Sequence, residues 1–235
     1  LQSGLTTIGF DADDTLWHNE RIFRLTEERF VALLGDHAPA PDVTRRLLEA
    51  EKRNLEIYGY GIKGFTLSMI ETALELTDGK VPSAALQEIL AAGRDMLRHP
   101  VEIFPEVRET LEHLRGTYRL VLITKGDLFD QERKLAASGL AELFDGVEIV
   151  SDKTAATYQR VFARHGDGAA RAMMIGNSVK SDILPAIEAG SWGVHVPYHI
   201  TWALEHAEPP LDHPRFKRVA HLGEIARLVS ELAQT

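Results

Sequence analysis

The sequence has no cysteine, so neither a disulfide framework nor thiolate chemistry is available to it. A reducing compartment is compatible with that absence, and a cytoplasmic protein is the expectation. No uninterrupted apolar stretch approaches the roughly 18 residues of a membrane span. The first residues also lack the charged-then-apolar pattern of a secretory signal. Positive charge is in short supply: 26 Lys and Arg against 35 Asp and Glu leave a formal net charge of -9. That balance argues against a nucleic acid or an acidic membrane as the main partner. A small anion stays open to such a chain, because a cation held in a cleft inverts the local field. Ten histidines are present, but none shows His-x-x-x-His spacing beside acidic partners, so no zinc site is read. Internal repeats and low-complexity tracts are missing too.

What is present suits an ordinary α/β protein. The 235 residues are 44% hydrophobic, enough for one core domain and a modest insert. Short β-branched or apolar runs at 5–10, 119–124, 146–150, 172–176 and 192–196 read as strands. Helical periodicity lies between them, as in Val107, Leu111 and Leu114, or Leu222, Ile225, Val229 and Leu232. This alternation predicts a doubly wound parallel sheet covered on both faces. Residues 17–99 hold no good strand candidate. Four helices are expected there, with breaks at 35–41, 58–64 and 78–82. The expected organisation is a core of residues 1–16 and 100–235, interrupted by a helical cap of residues 17–99. The stretch 208–214 reads as a Pro-rich surface loop.

The first strand runs into Phe10-Asp11-Ala12-Asp13-Asp14-Thr15. Ligands of an open parallel sheet bind outside the carboxyl ends of its strands. Carboxylates crowded there need neutralising, and a divalent cation with oxygen preference is the natural partner. A solvated acidic turn is the plainer reading of such a run taken alone. The second strand ends at Thr124-Lys125-Gly126, where a hydroxyl and backbone N–H groups suit phosphate oxygens. Lys153 follows the third strand, and Gly176-Asn177-Ser178 ends the fourth, with Asp182 five residues past Asn177. Each of these has an ordinary alternative: a cap, a solvated lysine, a helix-capping aspartate.

Order and spacing make the set specific. Asp-x-Asp-x-Thr, then Thr, then Lys, then Gly-Asn-x-x-x-x-Asp fall at successive strand ends. The pattern resembles the four signature motifs of the haloacid dehalogenase superfamily, over the whole chain and with a helical cap between motifs one and two. The resemblance implies a Rossmann-like core and a phosphatase that uses Mg2+. Asp11 would be the nucleophile, Asp13 the general acid–base, Thr124 a phosphoryl-binding hydroxyl and Lys153 the cation joining nucleophile and phosphoryl group. Asp11, Asp13, Asn177 and Asp182 would hold the metal. Two departures stand out. Asn177 occupies a place where many relatives have Asp, which lowers the charge around the ion. Thr154 follows Lys153 where relatives commonly have Pro.

A phosphate monoester and a carboxylate nucleophile repel each other, so a metal and Lys153 would have to cancel charge. The partner expected is a small phosphorylated metabolite. Lys125, Tyr60 and Lys63 are the further candidates for binding it, Tyr60 and Lys63 through the glycine-rich stretch 58–65. Carbon–halogen hydrolysis on the same fold is the first alternative, and Asp13 argues against it, because halide needs no proton. A phosphomutase and a non-catalytic binding protein complete the alternatives. No roles follow for His18, His195, Tyr198, His199 or Trp202. Monomer and homodimer are equally open.

Overall fold

In the computed structural model, which describes residues 4–233, the apolar runs form a six-stranded, wholly parallel sheet. The strands are β1 (Thr7–Phe10), β2 (Arg119–Lys125), β3 (Gly146–Val150), β4 (Ala172–Gly176), β5 (Trp192–His195) and β6 (Phe216–Arg218). Their order across the sheet is β3-β2-β1-β4-β5-β6. Progress across the sheet therefore reverses between β1 and β4, so a crevice opens beyond the carboxyl ends of those two strands. Phe10 is in register with both Leu122 and Ile175, so β1 and β4 end within a residue of each other while β2 runs on to Lys125.

Alternation along each strand sorts its side chains to two faces. Ile8 and Phe10, Leu120 and Leu122, Met173 and Ile175 pack with α5 (Val107–Leu114) and α9 (Ile225–Ala233). Val121, Ile123 and Met174 face Tyr158 and Phe162 of α7 (Ala155–His165). Gly9 lies on that second side. A β-carbon there would come within 2.9 Å of Ile123 Cδ1 and 3.1 Å of Phe162 Cε1, so the central strand needs a glycine to let the helix close on it. Near-continuous burial of β1 and β4 is what a parallel sheet covered on both sides requires.

The chain divides into two compact units. One holds the residues up to His18, Val101–Lys125 and Gln131 onward, and carries the sheet. The other holds Asn19–Pro100 with Gly126–Asp130. This second unit contains α1 (Glu20–Leu33), α2 (Ala40–Tyr58), α3 (Ile62–Leu76) and α4 (Ser83–Arg98). Phe30, Leu47, Phe65, Met69, Ile89 and Met96 make its own core. Prolines 39 and 82 stand just before α2 and α4, where a missing N–H costs nothing. Gly59 and Gly61, both at positive φ, turn the chain between α2 and α3. Helix reaches to Tyr58 and resumes at Ile62, so the break is shorter than the 58–64 expected from composition.

The remaining helices are α6 (Leu128–Ser138) and α8 (Leu184–Glu188). Strand β6 was not anticipated: Phe216, Lys217 and Arg218 are few and mostly charged, as suits an edge. β1 is two residues shorter than expected, and β5 one. Among the described residues, no helix is long and apolar enough to cross a membrane.

Candidate active site

Asp11 follows β1 directly, and its N–H still bonds to the Ile175 carbonyl at 2.9 Å. Sheet pairing thus carries Asp11 to the crevice at the strand ends. The chain then turns sharply. Asp14 adopts φ 60°, a left-handed conformation that Asp tolerates better than most residues. Thr15 and Leu16 donate their N–H groups to the Ala12 carbonyl, at 3.2 and 2.8 Å. This fold-back puts the Thr15 hydroxyl 3.0 Å from Asp11 Oδ2 and 3.3 Å from Asn177 Oδ1. The Asn177 N–H donates to that same hydroxyl at 3.1 Å.

Lys153 closes the other side of Asp11. Its Nζ donates to Asp11 Oδ1 at 2.5 Å and to Asp182 Oδ1 at 2.7 Å. All three residues are buried. Asp182 lies in a widened helical turn, Val179–Ile183, that opens with Ser178 as its cap. Asp182 Oδ2 accepts the Ser178 N–H at 2.9 Å, and the Tyr158 hydroxyl donates to the Ser181 carbonyl at 2.9 Å, bracing the turn from α7. Gly176 makes room for this. A β-carbon on it would collide with Asp182 Oδ2. Asp182 is therefore drawn under the end of β4 rather than capping α8.

One ammonium cannot satisfy two buried carboxylates. Burial first, and the Asp182 charge next, push the Asp11 carboxyl up to about 7 against the opposing pull of Lys153. Burial works against the Lys153 charge, but Asp11 and Asp182 together outweigh it and raise its pKa.

Asp13 points elsewhere. Its Oδ1 accepts the Trp17 indole N–H at 2.7 Å and the Lys134 ammonium at 3.0 Å. Its Oδ2 lies 3.3 Å from Lys134 Nζ and 3.2 Å from Gln131 Nε2. Gln131 also donates to Thr124 Oγ1 at 2.7 Å, so the hydroxyl's own proton is available to another acceptor. Lys125 is held by Glu205 at 2.6 Å and Ser181 Oγ at 2.8 Å. Glu205 accepts from Ser178 and Ser181 as well. Burial opposes the Glu205 charge, yet Lys125 and the two hydroxyls more than compensate and lower its pKa.

The sheet unit thus brings Asp11, Asp13, Thr124, Lys125, Lys153, Asn177 and Asp182 to one end of the sheet. Tyr60 and Lys63 belong to the helical unit. Lys63 there is exposed and ion-paired with Asp127 at 3.0 Å; Tyr60 is half-buried. His18 Nδ1 lies 2.9 Å from the Tyr198 hydroxyl, and its ring packs edge-on against Phe104. His199 is exposed beside Tyr198, and Trp202 precedes the short turn that carries Glu205. His195 Nε2 donates to the Asn177 carbonyl at 3.1 Å, leaving its buried Nδ1 without a partner. Burial is the first reason its pKa is lowered.

Sequence reasoning had no hold on Gln131, Lys134 or Glu205. The first two occupy a polar helix face that reads as solvated, and Glu205 lies in a loop without a pattern. For Gln131 and Lys134 the one sequence signal is proximity to Thr124, which is weak; Glu205 has none.

The side chains gathered around Asp11 are all oxygen donors of the kind a hard cation takes: the carboxylates of Asp11 and Asp182 and the amide oxygen of Asn177. Among the described residues no three His, Cys, Asp or Glu side chains form a metal cage. An ion here would lean on two carboxylates and keep waters, which is the habit of Mg2+.

The family model for haloacid dehalogenase-like hydrolases matches residues 5–190. A haloacid dehalogenase-like family hydrolase from Xanthomonas campestris is 42% identical, covering 98% of this chain and 93% of that one, with a TM-score of 0.87. HAD-hydrolase YfnB from Bacillus subtilis, bound to magnesium, is 17% identical over 96% of this chain and 99% of that one, with a TM-score of 0.65. L-2-haloacid dehalogenase from Xanthobacter autotrophicus, with chloropropionic acid covalently bound, is 17% identical over 96% and 98%, with a TM-score of 0.64. The last two show likeness of fold alone. No curated protein matches the chain.

Proposed function

The chain belongs to the haloacid dehalogenase-like hydrolases, and we propose that it is a Mg2+-dependent phosphatase acting on a small phosphate monoester through a phospho-aspartate on Asp11. The observation that carries this reading is the buried group Asp11–Lys153–Asp182, with a second carboxylate, Asp13, two residues from the first. With Asp11 ionised for attack, two buried carboxylates on one lysine leave an excess negative charge that a divalent cation would balance. Mg2+ would rest on Asp11, Asp182, Asn177 and the Asp13 carbonyl, and when bound it neutralises charge on the phosphoryl oxygens.

The residues then divide the work. An Asp11 carboxylate oxygen attacks phosphorus, and the bond from phosphorus to the ester oxygen breaks. Asp13 gives its proton to the departing alcohol. Water next attacks the phosphoryl-aspartate and passes a proton to Asp13, which releases phosphate and restores Asp11. Lys153 keeps Asp11 aimed and takes charge from the equatorial oxygens. Thr124, with Gln131 donating to its oxygen, offers its proton to a phosphoryl oxygen.

In this proposal residues 1–16 and 100–235 are the catalytic domain and 17–99 the cap, in a cytoplasmic enzyme. The reading makes no use of Lys125, Lys63 or Tyr60: Glu205 and Asp127 already hold the two ammonium groups. Carbon–halogen hydrolysis is the competing reaction, and Asp13 again weighs against it. A direct comparison tests the choice. Phosphate release from para-nitrophenyl phosphate with Mg2+ is expected, and halide release from 2-chloropropionate is not. Halide release without metal, and no phosphate release, would reverse the assignment.

A further inference from the structure

Lys134 has no place in the motifs above, yet its surroundings are unusual for a helix lysine. It lies on α6, within the sheet unit, and is only 8% exposed. Lysine is seldom so buried unless paired. Its ammonium spans both oxygens of Asp13, at 3.0 and 3.3 Å. Gln131, one turn earlier on the same helix, reaches Asp13 Oδ2 at 3.2 Å and Thr124 Oγ1 at 2.7 Å. Residues three apart on a helix share a face, so one face of α6 grips the Asp13 carboxyl and the Thr124 hydroxyl together. Trp17 also donates its indole N–H to Asp13 Oδ1 at 2.7 Å.

We propose that Lys134 is a positioning residue for proton transfer to the leaving group, acting through Asp13. The inference rests on the phosphatase reading and deepens it. A carboxyl on a short side chain has two rotatable bonds. Without a fixed partner it samples several orientations, of which few put its proton on the ester oxygen. Lys134 touches both Asp13 oxygens, so it fixes the carboxyl's plane as well as its place. Gln131 then ties that plane to Thr124, the hydroxyl offered to the phosphoryl group. The proton donor and the phosphoryl-binding hydroxyl are thereby registered to one another through a single helix. Misplacement by about 1 Å can cost a rate factor on the order of 10².

Leaving-group dependence separates this role from a merely structural one. Para-nitrophenolate departs without a proton, whereas the alkoxide of glycerol 2-phosphate needs one. The quantity to measure is kcat/KM, which covers only the steps up to departure of the alcohol. Wild type, Lys134→Met and Lys134→Arg would be assayed on both esters with Mg2+. For Lys134→Met we expect a loss on the order of 10²-fold with glycerol 2-phosphate and under about tenfold with para-nitrophenyl phosphate. Lys134→Arg should recover much of the difference. The ratio between the two esters, taken in one sample, does not depend on how much of that sample is folded. Equal losses on both esters, or no loss, would overturn the role of Lys134 while leaving the phosphatase reading in place. If wild type turns over neither ester, that reading fails and the proposal falls with it.

Discussion

Lys153 Nζ lies 2.5 Å from Asp11 Oδ1, and both side chains are all but sealed from solvent. The same ammonium reaches Asp182 Oδ1 at 2.7 Å. With Asp11 ionised, three charges are therefore buried with one sign in excess, a costly arrangement for a resting fold. On the reading proposed here that cost is tolerated because the site exists to take on a cation and a phosphoryl group.

Removing the lysine should expose the imbalance. Lys153→Met leaves Asp11 and Asp182 facing each other without a counter-charge. A loss of about 3–5 kcal/mol in unfolding free energy is expected, as for other broken buried pairs. Urea denaturation measures it, and added Mg2+ should restore part of the loss. A variant as stable as wild type would mean that the two carboxylates are already relieved some other way.

Asp11 also predicts a pH dependence, and its sign is opposite to that of most carboxylates. Its pKa is 3.8 unperturbed and about 7 in the fold, raised chiefly by burial. Between those values the folded chain keeps a proton that the unfolded chain has lost. Stability from this group is thus full below about pH 4 and is lost as pH rises through about 7. In metal-free protein, wild type should lose stability relative to Asp11→Asn across that window, by about 1–4 kcal/mol. Parallel melting curves for the two proteins at each pH would contradict this.

Gly176→Ala places a methyl group against Asp182 Oδ2. The side chain must retreat from beneath β4, so the Lys153 contact and the metal site should both suffer. The expected result is a need for about tenfold more Mg2+ at half-maximal activity, together with a stability loss of about 1–3 kcal/mol. Asn177→Asp should act in the other direction, lowering the Mg2+ requirement by a factor on the order of ten through one added charge. A Mg2+ titration of each variant reads both effects.

The strands, and the residues at their carboxyl ends, could be read from sequence because a buried parallel sheet writes itself as apolar runs with polar endings. Phe10 to Asp11, Ile123 to Thr124 and Ile175 to Asn177 all follow that pattern. β6 could not be read this way: with three residues, two of them charged, it carries no run. Lys134 and Gln131 escaped for a different reason. On α6 they look like the solvated face of any helix, and only the packing of that helix against the β1 turn brings them to Asp13. Glu205 is an acid in a patternless loop until the fold sets it beside Lys125. Conversely, Lys125 and Lys63 read as spare positive charge, and their partners Glu205 and Asp127, each distant in sequence, are legible only in three dimensions.

The central claim, hydrolysis of a phosphate ester through Asp11, is tested most directly by phosphate release from para-nitrophenyl phosphate, with and without Mg2+, for the intact protein and for Asp11→Asn. The account predicts turnover that requires the metal and disappears in a variant that is still folded. Turnover that survives in Asp11→Asn, or that proceeds equally well without Mg2+, would contradict it.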